Sequence, residues 1–193
     1  MQTRRTNSGR AALLLVAFFS RAIFASDAAV PPRLQASLIA RVAPFDRSLA
    51  ARARSKVLLL VAVRRGDAGS RQVAAEVAEA LKSEPQMAGL PLQVEQLEAG
   101  SAGELVQEIK ARRPAILYLA TGFSDDAPAL AASLEGEDIL TMTAESAAVR
   151  GGICVGFDLV SGKPRILVHL QQAKKQHVNF QAALLHLSKV VDQ

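Results

Sequence analysis

Seven consecutive apolar residues, Val57-Leu-Leu-Leu-Val-Ala-Val63, constrain this chain more than any other stretch. A strand with one wet face alternates apolar and polar side chains, because successive Cβ atoms point to opposite faces. This run does not alternate, so it fits a strand covered on both sides. A sheet covered on both sides needs a helical layer on each face. Pro114-Ala-Ile-Leu-Tyr-Leu-Ala120 is a second run of this kind.

Helical patterns alternate with these strands. Leu34, Leu38, Val42 and Leu49 fall near a helical period, with Pro44 kinking or restarting the helix. After the first strand, Arg64-Arg-Gly-Asp-Ala-Gly-Ser70 forms a loop. A helix over about 71–83 follows, with Val73, Val77, Ala80 and Leu81 as its buried stripe and Ser70 as its N-cap. Pro91 to Leu97 alternates, which suits a strand near the sheet edge, and Ser101-Ala-Gly-Glu104 is a capping box for a helix ending at Arg113. A loop over 121–126 and a short helix over 127–134 lead to Asp138-Ile-Leu-Thr-Met-Thr143 and a polar segment reaching Val149.

Two more apolar runs close the chain. One lies within Arg150-Gly-Gly-Ile-Cys-Val-Gly-Phe-Asp-Leu-Val160, the other within Arg165-Ile-Leu-Val-His-Leu-Gln-Gln-Ala173. The Ser161-Gly-Lys-Pro turn between them predicts an antiparallel hairpin, with Gly162 in the turn. Gly151 and Gly152 precede its first strand, where positive φ or close backbone approach calls for glycine. Residues 171–176 read as helical, and 181–191 as a final amphipathic helix. The sum is a three-layer α/β/α sandwich with a mostly parallel sheet of five or six strands and a C-terminal antiparallel hairpin. The loops after its first and third strands should meet at a switch point, where ligands bind in this architecture.

Charge and leader narrow the function. Arg4, Arg5, Arg10 and Arg21 against Asp27 carry +3 of the formal +5, leaving +2 for the rest. That argues against nucleic-acid binding, which needs a concentrated basic face. The basic start, the apolar run Ala11 to Ser20 and the small residues after it read as a Sec-type export signal over 1–28, cleaved near Ala25 or Ala28, with an uncleaved anchor as the alternative because Arg21 interrupts the boundary. Residues 29–193 then form a single periplasmic domain. Cys154 is the sole cysteine, so no intramolecular disulfide can form, and its apolar strand suits a small buried hydrophobe rather than a reactive thiol.

The loop over 64–70 has neither P-loop nor dinucleotide spacing, and no cofactor fingerprint appears elsewhere. His169, His177 and His186 lack metal-ligand spacing. Asp125-Asp126 reads as a polar helix start, and no nucleophile elbow or local Ser, His and Asp set is present. Arg65, Ser70, Thr121, Ser124 and Arg150 are the candidates for gripping a ligand or a partner, Arg150 alternatively pairing with the polar segment after Met142.

The ordered set Ala115-Ile-Leu-Tyr-Leu, Asp138-Ile-Leu-Thr-Met-Thr, Val149-Arg-Gly-Gly-Ile and Pro164-Arg-Ile-Leu-Val-His-Leu-Gln-Gln-Ala resembles the YfiR-like family of periplasmic proteins. The likeness is strongest over 114–191. His169 stands where that family usually has Asn, and the disulfide cysteines of its best-known member are missing. The resemblance implies a non-enzymatic regulator, able to dimerise, that binds the periplasmic part of a membrane-bound diguanylate cyclase or other sensor. A periplasmic small-molecule binding protein is the alternative.

Overall fold

The computed structural model describes residues 29–191. The export-signal reading falls on residues 1–28 and lies outside them. The chain runs α1 (Pro32–Val42), a 3-10 turn (Ala43–Phe45), α2 (Leu49–Ala53), β1 (Val57–Arg64), α3 (Ala68–Leu81), β2 (Gln86–Met87), β3 (Leu90–Ala99) and α4 (Ala102–Arg112). It continues through β4 (Ile116–Leu119), α5 (Ala127–Ser133), β5 (Leu140–Thr143), α6 (Ser146–Arg150), β6 (Val155–Val160), β7 (Lys163–Val168), α7 (Leu170–Lys175), α8 (Ala182–Leu187) and β8 (Ser188–Val190).

The strands form one sheet in the order β2-β3-β1-β4-β5-β6-β7-β8. It is parallel from β3 through β6, antiparallel at β2–β3 and at the β6–β7 hairpin, and parallel again at β7–β8. The period-2 geometry of a strand sorts the run over 57–63 into two cores. Leu59, Val61 and Val63 join Ile116 and Tyr118 under α1, α3 and α8. Leu60 and Ala62 join Leu117 and Leu119 under α4, α5 and α6. This is the three-layer sandwich, and the unalternating run is its cause.

Local chemistry sets the helix ends. Pro32 opens α1 and Pro44 restarts the chain in the 3-10 turn, where a missing N–H does no harm. The fully buried face of α1 is Gln35, Ala36, Ile39 and Val42, while Leu34 and Leu38 are only partly covered. Gln35 is buried because it is bonded: its amide donates to Val30 O at 2.6 Å and its carbonyl accepts from the Tyr118 hydroxyl. Burial pushes the Tyr118 phenol well above its ordinary pKa, so it remains a donor. His169 caps α7, with Nδ1 accepting from the Gln172 N–H at 3.2 Å. Asn does the same job at an N-cap, so the Asn that the resemblance implied here would keep the bond.

Several expectations need correction. The sheet has eight strands, not five or six. β2 is a two-residue strand hidden in a loop, and β8 lies where the final helix was expected. The helix stops at Leu187, and Ser188–Val190 pairs with Ile166–Val168, which gives the outer edge of β7 a partner. The polar segment before Val149 is the helix α6. Helix α3 starts at Ala68, capped by Asp67 and not by Ser70. Its fully buried face is Ser70, Ala74, Val77, Ala78 and Leu81, with Val73 and Ala80 only partly covered.

The glycines divide by cause. Gly162 and Ser161 both have positive φ and form the two-residue hairpin turn, and a Cβ on Gly162 would meet nothing. Gly151 and Gly152 are close-approach positions, where a Cβ would fall 2.8 Å from the Ala127 Cβ and 2.5 Å from the Ala131 Cβ. Gly152 also has φ of +105°. Gly152→Ala should therefore lower stability by about 2–4 kcal/mol, from overpacking plus backbone strain. Gly162→Ala should lower it by only about 1 kcal/mol. Urea unfolding midpoints separate the two, and equal losses would contradict this account.

Candidate functional site

The strand order reverses between β1 and β4, since the chain passes from β1 to β3 on one side and then to β4 on the other. The loops leaving β1 and β4 meet at this point, as the sequence predicted. The crevice between them is filled by Arg64, the last residue of β1. Its Nε donates to Gly122 O at 2.9 Å and its Nη1 to Gly100 O at 2.8 Å. Its Nη2 pairs with the Asp126 carboxylate, and the guanidinium lies 4.4 Å from the centroid of the buried Phe123 ring. One side chain thus fastens the loops after β1, β3 and β4. Arg supports this where Lys would not, because its planar fork offers several fixed donors and a face for stacking.

The backbone donors at this pole are also taken. The Glu145 carboxylate, at the start of α6, accepts from Gly122 N at 3.1 Å, Phe123 N at 3.3 Å and the Ser124 hydroxyl at 3.1 Å. Asp67 accepts from Ser70 N at 3.0 Å. Glu104 accepts from Gly100 N at 2.9 Å and pairs with Arg65. The Gly100 bond first, then the Arg65 bond, hold its carboxyl below the usual carboxylate range. Backbone N–H groups at strand-to-helix turns are ready-made anion sites. Here the protein supplies its own anions.

The expected site residues take different places. Ser70 is buried inside α3, and its hydroxyl accepts from the Arg64 N–H at 2.8 Å. Thr121 is half-buried at the exit of β4, and Ser124 is tied to Glu145. Arg65 sits exposed on the rim, and Arg150 is exposed at the end of α6. The structure therefore gathers Ser70, Thr121 and Ser124 at one pole, with structural bonds assigned to two of them. The residues that organise the pole are Arg64, Phe123, Asp126 and Glu145. Among the described residues no His, Cys, Asp and Glu cluster has the form of a metal site, and no helix is long and apolar enough to cross a membrane.

Cys154 is fully buried among β5, β6 and α7. Its backbone N–H donates to Thr141 Oγ1 at 3.0 Å, and both its thiol and the Thr141 hydroxyl lie on Gln176 Oε1, at 2.8 and 3.1 Å. Desolvation pushes the thiol up to about 11.

Two outcomes follow from this geometry. Arg64→Ala should lower stability by about 2–3 kcal/mol, and Arg64→Lys by nearly as much, because several polar partners lose their donors together; chemical unfolding measures both. At pH 8 the native Cys154 thiol should react with a disulfide reagent at least about a hundredfold more slowly than in urea, since both its thiolate fraction and its access are low. Rapid labelling without unfolding would contradict its burial.

The fold is similar to that of an ABC domain in complex with L-Trp from Streptococcus pneumonia, with TM-score 0.60, 11% identity, and coverage of 83% of this chain and 62% of that one. It is similar to the ligand-free, open structure of CD0873, a substrate binding protein with adhesive properties from Clostridium difficile, with TM-score 0.60, 13% identity, and coverage of 85% and 60%. A conserved domain protein from Vibrio cholerae O1 biovar El Tor gives TM-score 0.61, 12% identity, and coverage of 87% and 62%. At these identities the likeness is one of fold, and the chain spans about three fifths of the length of these structures. No curated protein matches the sequence. The profile of the YfiR/HmsC-like family matches residues 32–189, from the first turn of α1 into β8, and the chain belongs to that family.

Proposed function

We propose that this protein is an exported, non-enzymatic regulator that docks on the periplasmic part of a membrane signalling protein, a diguanylate cyclase or another sensor, and alters its output. The observation that carries the reading is the filled switch point. In this architecture small ligands bind beyond the carboxyl ends of the strands. Here Arg64 occupies that crevice, and Glu145 occupies the N–H groups an anionic ligand would use. Family membership supports the same reading.

A docking surface is available on the flank of the sheet formed by β6, β7 and β8. Val160 at the hairpin tip is 42% exposed, Leu187 at the end of α8 is 70% exposed, and Val190 on β8 is 39% exposed. β8 is the edge strand of the described sheet, with one side of its backbone unpaired by any other strand. Exposed apolar side chains beside an open strand edge are the ingredients of strand addition and of apolar docking. Binding one conformation of a sensor more tightly than another shifts its equilibrium by that difference in affinity, with no bond made or broken.

The second reading is a small-molecule binding protein. What favours it is the likeness to a substrate binding protein and to a domain holding L-Trp, both longer chains. A single lobe encloses a ligand poorly, which ranks this reading second.

Deleting the gene should change cellular cyclic di-GMP, and the parent protein should restore it. A Leu187→Asp, Val190→Asp variant should fail to restore it while its Tm stays within about 3 °C, since both side chains are exposed. Unchanged cyclic di-GMP on deletion, together with a ligand-dependent rise in Tm, would favour the second reading.

A further inference from the structure

From the opposite pole of the sheet, we infer a binding site for a small multivalent oxyanion, a compound carrying a phosphate or paired carboxylates. A cavity of about 650 Å³ opens there, at the amino ends of β1, β4 and β5. That volume is in the range of small-molecule sites. Its wall carries Arg52, Arg54 and Lys56 from the end of α2 and the approach to β1. It also carries Lys110, Arg112 and Arg113 from the end of α4, against two carboxylates, Glu137 and Asp138.

Each carboxylate has a partner, Glu137 within the same wall and Asp138 outside it. Glu137 lies 3.7 Å from Lys110, and Asp138 is bonded to His177 at 2.8 Å. Arg112 is held by Glu95 and Glu108. Lys56 donates to the neutral Gln93 amide, and neither Arg54 nor Arg113 pairs with a carboxylate among the described residues. Three cations therefore face the cavity without a counter-charge of their own.

Arg52 is the second, independent observation. Its side chain is only 5% exposed, and Nη1 donates to Asp46 at 2.8 Å. Its Nε and Nη2, both buried, have no hydrogen-bond partner among the described residues. Buried guanidinium N–H groups are rarely left unpaired, because desolvating them without a partner is unfavourable by about 1–3 kcal/mol or more. A two-oxygen anion entering the cavity, with a small shift of the Arg52 fork, matches that deficit.

The backbone adds a third. Arg54 and Arg113 have φ of +60° and +49°; Arg113 takes the left-handed cap conformation where glycine usually ends a helix, and Arg54, with ψ of −91°, a positive-φ conformation that also favours glycine. Attraction of Lys and Arg to a helix carboxyl end accounts for Lys110 and Arg112. It does not account for charged residues held at two positions that favour glycine, nor for the unpaired Arg52 donors. Of the five non-glycine residues with positive φ among those described, two are cations on the wall of this one cavity.

This site stands whether or not the chain docks on a sensor. Titrating the purified protein calorimetrically with sodium pyrophosphate and with citrate should show one-site binding that weakens as salt is added. Arg113→Gly should keep or raise Tm, because glycine suits the left-handed backbone, yet weaken binding at least about tenfold. Arg54→Gly should behave alike. A parallel arm uses vesicles of phosphatidylglycerol and of phosphatidylcholine. Binding to the anionic vesicles alone, lost in both glycine variants, would assign the oxyanion to a lipid headgroup. Binding of the soluble anions, lost in the same variants, assigns it to a free compound. No binding in either arm up to about 10 mM, or binding unchanged in both variants, would overturn the site.

Discussion

The guanidinium of Arg64 is the interaction on which the carboxyl end of the sheet depends. Three loops leave the carboxyl ends of β1, β3 and β4, and backbone bonding adds the Arg65 N–H to Ala99 O link at 3.0 Å between the first two. Arg64 joins all three with donors to Gly122, Gly100 and Asp126 and a stacking face for Phe123. The partners sit 58, 36 and 62 residues away, so the bonds form only after the parallel strands are in register. That makes the pole a product of the whole fold and rigid once made. It also closes the crevice where other open α/β sheets receive ligands.

Glu145 and Asp67 extend the same logic. A loop that turns from strand to helix exposes N–H groups, and a buried or half-buried donor must be satisfied by something. Binding proteins leave that task to a ligand. Here carboxylates from the chain itself perform it, at Gly122, Phe123 and Ser70. A pole so satisfied gains little from an incoming anion, which would have to displace Glu145 first.

The two-sided strand was legible in the sequence because burial leaves an imprint that needs no partner to be read. An unbroken apolar run over 57–63 admits few fates, and the sandwich and the switch point follow from it. Gly151 and Gly152 were legible for the same reason, since only a backbone demand explains a glycine pair beside an apolar strand. What escaped was set by register and by distance. Arg64 and Arg65 are neighbours of one type, and only the strand's last residue decides which turns inward. Asp and Ser are both good helix caps, so whether Asp67 or Ser70 served depended on where α3 began. Strand β8 was hidden because Leu184, Leu185 and Leu187 carry a helical period that stops at Ser188, where the free edge of β7 outweighs local preference.

The two ends of the sheet treat charge in opposite ways. At the carboxyl end Asp67, Glu104 and Glu145 each meet donors of the same chain, and Arg64 meets Asp126. At the amino end Arg52 keeps two buried donors unpaired while Arg54 and Arg113 occupy backbone positions that favour glycine. Strain of this kind persists only where the surrounding structure enforces it. Arg52 is enforced by Asp46, which is fully buried at its side chain and also accepts from Ser48 N and Asn179 N at 3.0 Å each. Asp46 therefore anchors α2 to the segment before α8 and fixes the guanidinium at the cavity wall. The same segment carries the chain on to Leu187 and β8. One buried ion pair thus ties the cationic pole to the segment that leads into the exposed Leu187 and Val190.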